Sequence, residues 1–227
     1  MHICHTRWLK RGAGLIAPQR KRNTQLATQL KQPKPVKQQR LADRRQLILE
    51  AAIPIIGHRG YYGFSIRALA DACGLTVPGI LHHFGSKDAI LLAMLDYRER
   101  RDFEAVWQGL PFRDPQRLAL YSLADVKRLL RETVVRNSQQ ADIVRLVSML
   151  RTEAHFPEHP AFEFFRDRNA RSLATITHMF TGKVSSPHAT AVQALALMLG
   201  LETLWLGNPD LIDMVGQWDQ GIEKLLG

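Results

Sequence analysis

A chain of 227 residues and 25.8 kDa can hold a small domain and a larger one with its own core. Hydrophobic residues at 45% and charged ones at 23% make a globular composition and exclude a disordered chain. Two cysteines, Cys4 and Cys73, exclude a disulfide framework, and no apolar run approaches the roughly 20 residues that span a bilayer. The composition predicts a soluble, intracellular protein associated with nucleic acid.

The formal charge of +10 is unevenly placed. Residues 1–42 hold ten Lys or Arg and no Asp or Glu, and the rest of the chain is neutral, with 21 basic and 21 acidic residues. Pro18, Pro33, Pro35 and many glutamines predict a flexible basic arm. Three readings stay open for it: a DNA-tracking arm making salt-sensitive phosphate contacts, a solvated tail, or the product of a start codon assigned too far upstream. A targeting peptide fits the Arg-rich, acid-poor composition less well. His2, Cys4 and His5 could chelate a soft metal, but a frayed terminus is a poor place for a built site, and no metal is expected.

Residues 43–101 carry most of the information. Leu47, Ile48, Ala51, Ala52, Ile55 and Ile56 recur at helical spacing in a helix expected from Asp43, with Gln46 completing a capping box, to near Gly60. Pro54 inside it predicts a kink. Ser65 can cap a short helix ending at Cys73, and Gly74 can close it in a left-handed turn. Thr76 can cap a second, Val77 to Phe84, with Pro78 in its first turn. Ala70, Gly74 and Ile80 have the spacing two closely crossing helices need, which is the punctuation of a helix-turn-helix. Gly85-Ser86 then starts a longer helix, 87–107.

The pieces LILEAA, RGYYGFSIRALADACG and HHFGSKDAILLAML, in that order across residues 46–95, resemble the DNA-binding domain of the TetR (tetracycline-repressor-like) family of bacterial transcription regulators. The resemblance implies an all-α fold, with a three-helix helix-turn-helix domain at 43–101 and a helical ligand-binding and dimerisation domain at 102–227. It also implies a homodimer, usually a repressor, on double-stranded DNA. By matching position, Ser65 and Arg67 would touch phosphates, and Thr76, Val77, Pro78 and Gly79 would face the major groove. His82 and His83 would meet backbone or bases, and Lys87 would anchor a phosphate at a helix N-terminus. Leu81 stands where the family has a tyrosine, and Val77 where a lysine or arginine is frequent. Few donors remain, so Val77 and Pro78 suit thymine methyls better than guanine edges. Ser65 and Thr76 are needed as caps in any case. The adjacent histidines point roughly 100° apart, so one is expected to pack and the other to stay free.

Beyond a break at Gly109-Leu110-Pro111 and Asp114-Pro115, helices are expected at 125–137, 141–154, 161–180, 187–206 and 211–226, with no strands. Ser186 should cap the fourth of these, which is apolar over most of its circumference and therefore predicts burial on all sides, some of it by a partner. Its run LMLGLETLWLGNPDLIDMV resembles the end of many family members, where the two last helices of each subunit make the dimer interface. The effector is a small molecule of unknown class. Met149, Arg151, Glu153, His155, Phe156, Phe162, Phe165, His178 and Trp205 are of pocket-lining type, with Arg145 and Arg151 suited to an anion.

An enzyme is the rival class, yet there is no serine elbow, phosphate-binding glycine loop, HExxH or CxxC. Glu153, His155, Glu158 and His159 form the nearest acid–base group, and Pro157 and Pro160 suggest a decorated loop instead. The second rival is a general nucleic-acid-binding protein working through the basic arm. A cytoplasmic, nucleoid-associated location in a bacterium and the absence of a cofactor complete the expectation.

Overall fold

The computed structural model describes residues 36–108 and 120–226, and among them every regular element is a helix. In chain order these are α1 (Val36–Gly63), α2 (Ile66–Cys73), α3 (Val77–Phe84), α4 (Lys87–Gln108), α5 (Leu123–Ser138), α6 (Ala141–Glu153), α7 (Phe162–Phe180), α8 (Pro187–Gly207) and α9 (Met214–Leu226). Most of the basic arm and the break around Pro111 lie outside the described residues.

Boundaries moved where a local bond outweighed the pattern. α1 starts at Val36 and not at Asp43, because no Gly or Pro interrupts the good helix formers before Pro54. Gln46 therefore makes no capping box, and its amide donates to Glu50 at 3.1 Å. The backbone leaves helical geometry at Gly60 (φ 67°, ψ −179°) and stays helical at Pro54. α5 opens two residues earlier than the pattern suggested, on a capping box between Ser122 and Asp125. α9 opens later, at Met214, because Leu211 and Ile212 donate back to the Asn208 carbonyl and Asp213 accepts from Gly216 N–H at 3.0 Å. Ser186 does precede α8, but its hydroxyl makes no capping bond.

Two apolar cores hold these helices. The first joins Ile48, Ala52 and Ile56 of α1 with Leu69, Ile80, Phe84, Ile90 and Met94, and continues into Leu146, Leu150 and Phe165 of α6 and α7. The second joins Val126, Leu129 and Val134 of α5 with Phe180, Ala191, Met198 and Trp218 from α7 to α9. Each fully buried Ile, Leu or Phe contributes about 1.5–3 kcal/mol. The helix-turn-helix is thus built on the same core as α6, so a shift of α6 is felt under α1 and α4.

α8, 21 residues long with an 18-residue stretch of mean hydropathy 1.5, is long and apolar enough by length and composition to cross a membrane, against the expectation that no apolar run would be. The protomer alone does not enclose it: Val192 and Leu204 are 43% and 58% exposed. Its other face packs in the second core against α7 and α9.

Candidate nucleic-acid interface

Two short helices of eight residues cannot hold themselves together, since isolated helices of that length are marginal in water. Caps and one crossing angle hold them. Ser65 Oγ accepts from Ala68 N–H at 3.2 Å and Thr76 Oγ1 from Gly79 N–H at 3.2 Å. Gly74, at φ 63° and ψ 33°, donates to the Asp71 carbonyl at 3.3 Å, and Leu75 to that of Ala70 at 2.9 Å. That pair of bonds is a Schellman closure, which needs the left-handed glycine. Ala70 and Ile80 are buried at the crossing, at 1% and 0% exposure. A side chain at Gly79 would sit 3.2 Å from the capping Thr76 hydroxyl, so this position favours a residue without one.

The expected contact residues take up different environments. Ser65, Arg67, Thr76, Pro78 and His82 are exposed. Arg67 pairs loosely with Asp71 at 3.5 Å, leaving its guanidinium in solvent. Val77 is half-buried and packs against the first core, so a large share of the methyl surface expected to meet thymine is used inside the fold. His83 is half-buried; burial, then the neighbouring charges of His82, Arg45 and Arg44, hold its pKa below the usual imidazole value. One histidine packed and one free is the arrangement that adjacent helical positions require.

Lys87 is placed with more constraint than its sequence showed. It is half-buried, with its ammonium 4.4 Å from the centre of the Tyr61 ring and 5.7 Å from that of Phe64. The Tyr61 hydroxyl donates to Asp88, and burial followed by that bond pushes its phenol up to about 12. Ser86 Oγ caps the helix from Ala89 N–H at 3.1 Å. The cation is thereby fixed over an aromatic face at the N-terminus of α4, where the helix dipole favours an anion.

Four residues matter here that the sequence reading did not place. Arg45, from the first turns of α1, donates to the His83 carbonyl and lies 4.2 Å over the Phe84 ring, fastening the C-terminal end of α3. Its neighbour Arg44 brings a second cation to the same end. Glu153 and His159, expected on a decorated loop, are anchors instead. Glu153 Oε2 accepts from Tyr61 N–H at 3.0 Å, just beyond the Gly60 break. The His159 side chain is fully buried against the Tyr61 and Tyr62 rings, accepts from Ala161 N–H at 3.1 Å, and has Nε2 3.6 Å from Glu153. Only an i+6 spacing of two polar residues hinted at this in the sequence.

Burial holds the His159 pKa low despite the opposing charge of Glu153. Above the unfolded value of about 6.5 both states are neutral and nothing is lost; below it the unfolded chain binds the proton first, and stability falls until the folded pKa is passed. The melting temperature is expected to fall between pH 7 and pH 5, and His159→Asn to reduce that fall. His83 acts in the same direction and Glu202, with a raised pKa, in the opposite one, so the readout is the difference between parent and variant. An identical fall in both would remove His159 as a contributor.

Residues 48–94 match the sequence pattern of "bacterial regulatory proteins, tetR family". The HTH-type transcriptional repressor AcnR of Corynebacterium diphtheriae is 29% identical over 116 residues, 51% of this chain and 55% of that protein. The chain therefore spans about half the length of this curated relative. Among solved structures, native NalD, the secondary repressor of the MexAB-OprM multidrug efflux pump in Pseudomonas aeruginosa, superposes with a TM-score of 0.61 at 22% identity, covering 82% of this chain and 96% of that one. SmeT in complex with triclosan superposes with a TM-score of 0.66 at 16% identity, covering 81% and 90%. At these identities the structures establish a shared fold.

Proposed function

We propose that this chain, which belongs to the tetR family through its helix-turn-helix domain, is a sequence-specific DNA-binding regulator of transcription. It acts as a homodimer, most simply as a repressor released by a small molecule, in the bacterial cytoplasm at the nucleoid. The observation that carries the reading is the α2–α3 pair: two capped helices locked at a left-handed glycine, with Thr76, Pro78 and His82 exposed on the second. Thr76, Pro78, Gly79 and His82 would read bases, and Val77, half-buried, contributes at most an edge to a thymine methyl. Ser65, Arg67, His83 and Lys87 would hold phosphates, with Arg44 added to that set.

The comparisons favour release by an effector, since the similar fold of SmeT is seen with triclosan and NalD is described as a repressor. In this reading DNA and effector favour different separations of two reading heads, and linkage requires each to weaken the other by one factor. The polar contacts of Glu153 with Tyr61, and of Tyr61 with Asp88 beside Lys87, connect α6 to the phosphate anchor without passing through DNA.

The test is a fluorescence-anisotropy titration of duplex from this gene's own upstream region against a shuffled duplex at physiological salt, with the full chain and with one beginning at Val36. A preference of about a thousandfold that survives the shortening supports the reading. Binding that ignores sequence and vanishes with the arm would replace it with a general nucleic-acid binder working through residues 1–35. Arg67→Gln and Lys87→Gln should each weaken every duplex alike and lower the salt slope by about one. A change in sequence preference from either would mean that the residue reads bases.

A further inference from the structure

Lys87 and Asp88 open α4 side by side, and one tyrosine holds both. The Lys87 ammonium lies over the face of the Tyr61 ring, 4.4 Å from its centre, and the Asp88 carboxylate accepts from the hydroxyl of the same ring. Neighbouring positions on a helix ordinarily point apart. Here both side chains reach Tyr61, which brings cation and carboxylate to one side of the helix, yet among the described residues neither forms an ion pair. Tyr61 is itself held from three further directions. Its N–H donates to Glu153 Oε2 of α6 at 3.0 Å, and its ring stands edge-on to those of Tyr62 and His159, at 5.3 and 5.1 Å between centres. Burial, then the bond to Asp88, pushes its phenol up to about 12, so the hydroxyl remains a proton donor throughout the neutral range.

An acidic residue in the first turn suits the helix dipole and favours the folding of α4. At a phosphate anchor the same charge is a liability. DNA brings an anion to Lys87, and a carboxylate within a side chain's swing both repels that anion and competes with it for the ammonium. The Tyr61 hydroxyl takes up the competitor: it occupies the carboxylate at the hydroxyl end of the ring, while the ammonium stays over the face. A phenylalanine would serve the cation–π contact and the packing as well. What the hydroxyl adds is the hold on Asp88.

We propose that Tyr61 is a positioning residue for the phosphate anchor: its hydroxyl holds Asp88 away from Lys87, and when that hold is lost Asp88 takes the place of the DNA phosphate on the ammonium. Glu153 fixes Tyr61 from α6, so a movement of α6 that withdraws Glu153 frees the ring and turns Asp88 into an internal rival of DNA. This rests on the regulatory reading above and gives its release step a named competitor.

The experiment is a double-mutant cycle on the full chain, with Tyr61→Phe, Asp88→Asn and the two together. Fluorescence anisotropy reads it on the upstream duplex and on the shuffled duplex, across a salt series. Phosphate contacts ignore sequence, so the shuffled duplex reports the anchor whether or not an operator is present. Tyr61→Phe should bind both duplexes about three- to tenfold more weakly and flatten the salt slope by up to about one, because one phosphate loses its cation. Asp88→Asn should bind both more tightly, and with Asp88→Asn in place Tyr61→Phe should change neither affinity nor slope. The asparagine separates this role from a purely structural one. It keeps an oxygen for the Tyr61 hydroxyl, so a bond that only stiffened the turn would survive in the single variant, and its loss in the double variant would still weaken binding. Asp88→Asn should likewise return part of the affinity that Glu153→Gln loses.

Two results overturn the proposal: Tyr61→Phe binding as tightly as the parent although Lys87→Gln weakens both duplexes, or an equal loss from Tyr61→Phe with and without Asp88→Asn. Should Tyr61→Phe melt too low to titrate, Asp88→Asn in the Glu153→Gln background decides, and affinity that is not recovered there overturns it too. A parent without preference for the upstream duplex, but with the cycle intact on the shuffled one, strikes the operator reading and upholds the role of Tyr61. A parent that binds neither duplex at about 50 mM salt overturns both.

Discussion

Replacing Gly60 with alanine is expected to lower the melting temperature by roughly 10 °C and to weaken operator binding with it. Gly60 sits at φ 67° and ψ −179°, a conformation that costs other residues about 1–3 kcal/mol. A Cβ there would also run into Glu153 Oε1, so the carboxylate must shift, which loosens the bond that its other oxygen accepts from Tyr61 N–H. Weakening a charged hydrogen bond at that half-buried place adds up to about 1.5–3 kcal/mol. Each kcal/mol moves the transition by about 2–4 °C in a domain of this size. The consequence for DNA follows from geometry: Tyr61 carries the ring under Lys87 and the hydroxyl on Asp88, so a displaced Gly60 turn moves the cation at the head of α4. Glu153→Gln keeps the size and one acceptor oxygen and should give a smaller effect of the same kind. Thermal melts and operator titrations of the two variants check this. A Gly60→Ala chain melting within about 2 °C of the parent would mean that Glu153 moves aside freely.

The helix-turn-helix was legible because its signals are local. A hydroxyl three residues before the N–H that it caps, a glycine where the chain must turn left-handed, and apolar residues at helical spacing act within a few positions of each other, and Ser65, Gly74, Thr76 and Ile80 all do what their spacing says. What escaped depends on contacts between distant positions. Nothing near Arg45 says that it will close the end of α3, 38 residues later. Nothing near Glu153 says that its partner is the N–H of Tyr61, 92 residues away. His159 does lie in the turn between α6 and α7, as Pro157 and Pro160 suggest, yet its imidazole is buried instead of decorating the surface. Val77 shows the same limit from the other side. Its register on α3 suited the groove, but the first core takes that face of it. The apolar circumference of α8 was readable, but which face the protomer's own core would use was not.

That remaining face of α8 gives the other large effect. Val192, Ala196, Gly200 and Leu204 follow one another at helical spacing on its exposed side, and a side chain at Gly200 would meet nothing within 4 Å. α9 offers less: Met214, Trp218 and Ile222 are used in the second core, and its outer residues Asp219 and Glu223 pair with Arg131 and Lys127 of α5. The proposed dimer therefore forms chiefly across α8, with α9 at its edge. In a two-fold interface one substitution appears twice, and near the axis the two copies face each other. Leu204→Glu would bring two carboxylates into an apolar contact, each costing several kcal/mol to desolvate. Val192→Glu does the same one side of Gly200. Sedimentation should then show monomers at concentrations where the parent is a dimer, with the helical signal and the folded core intact because both positions are exposed in the protomer. A monomer holds one half-site, so operator affinity should fall by about a hundred- to ten-thousandfold as the benefit of two linked heads is lost. Binding to shuffled DNA, which needs no fixed spacing between heads, should fall far less. If Leu204→Glu sediments as the parent does and binds the operator as tightly, α8 is not the interface, and its apolar face must be covered in some other way.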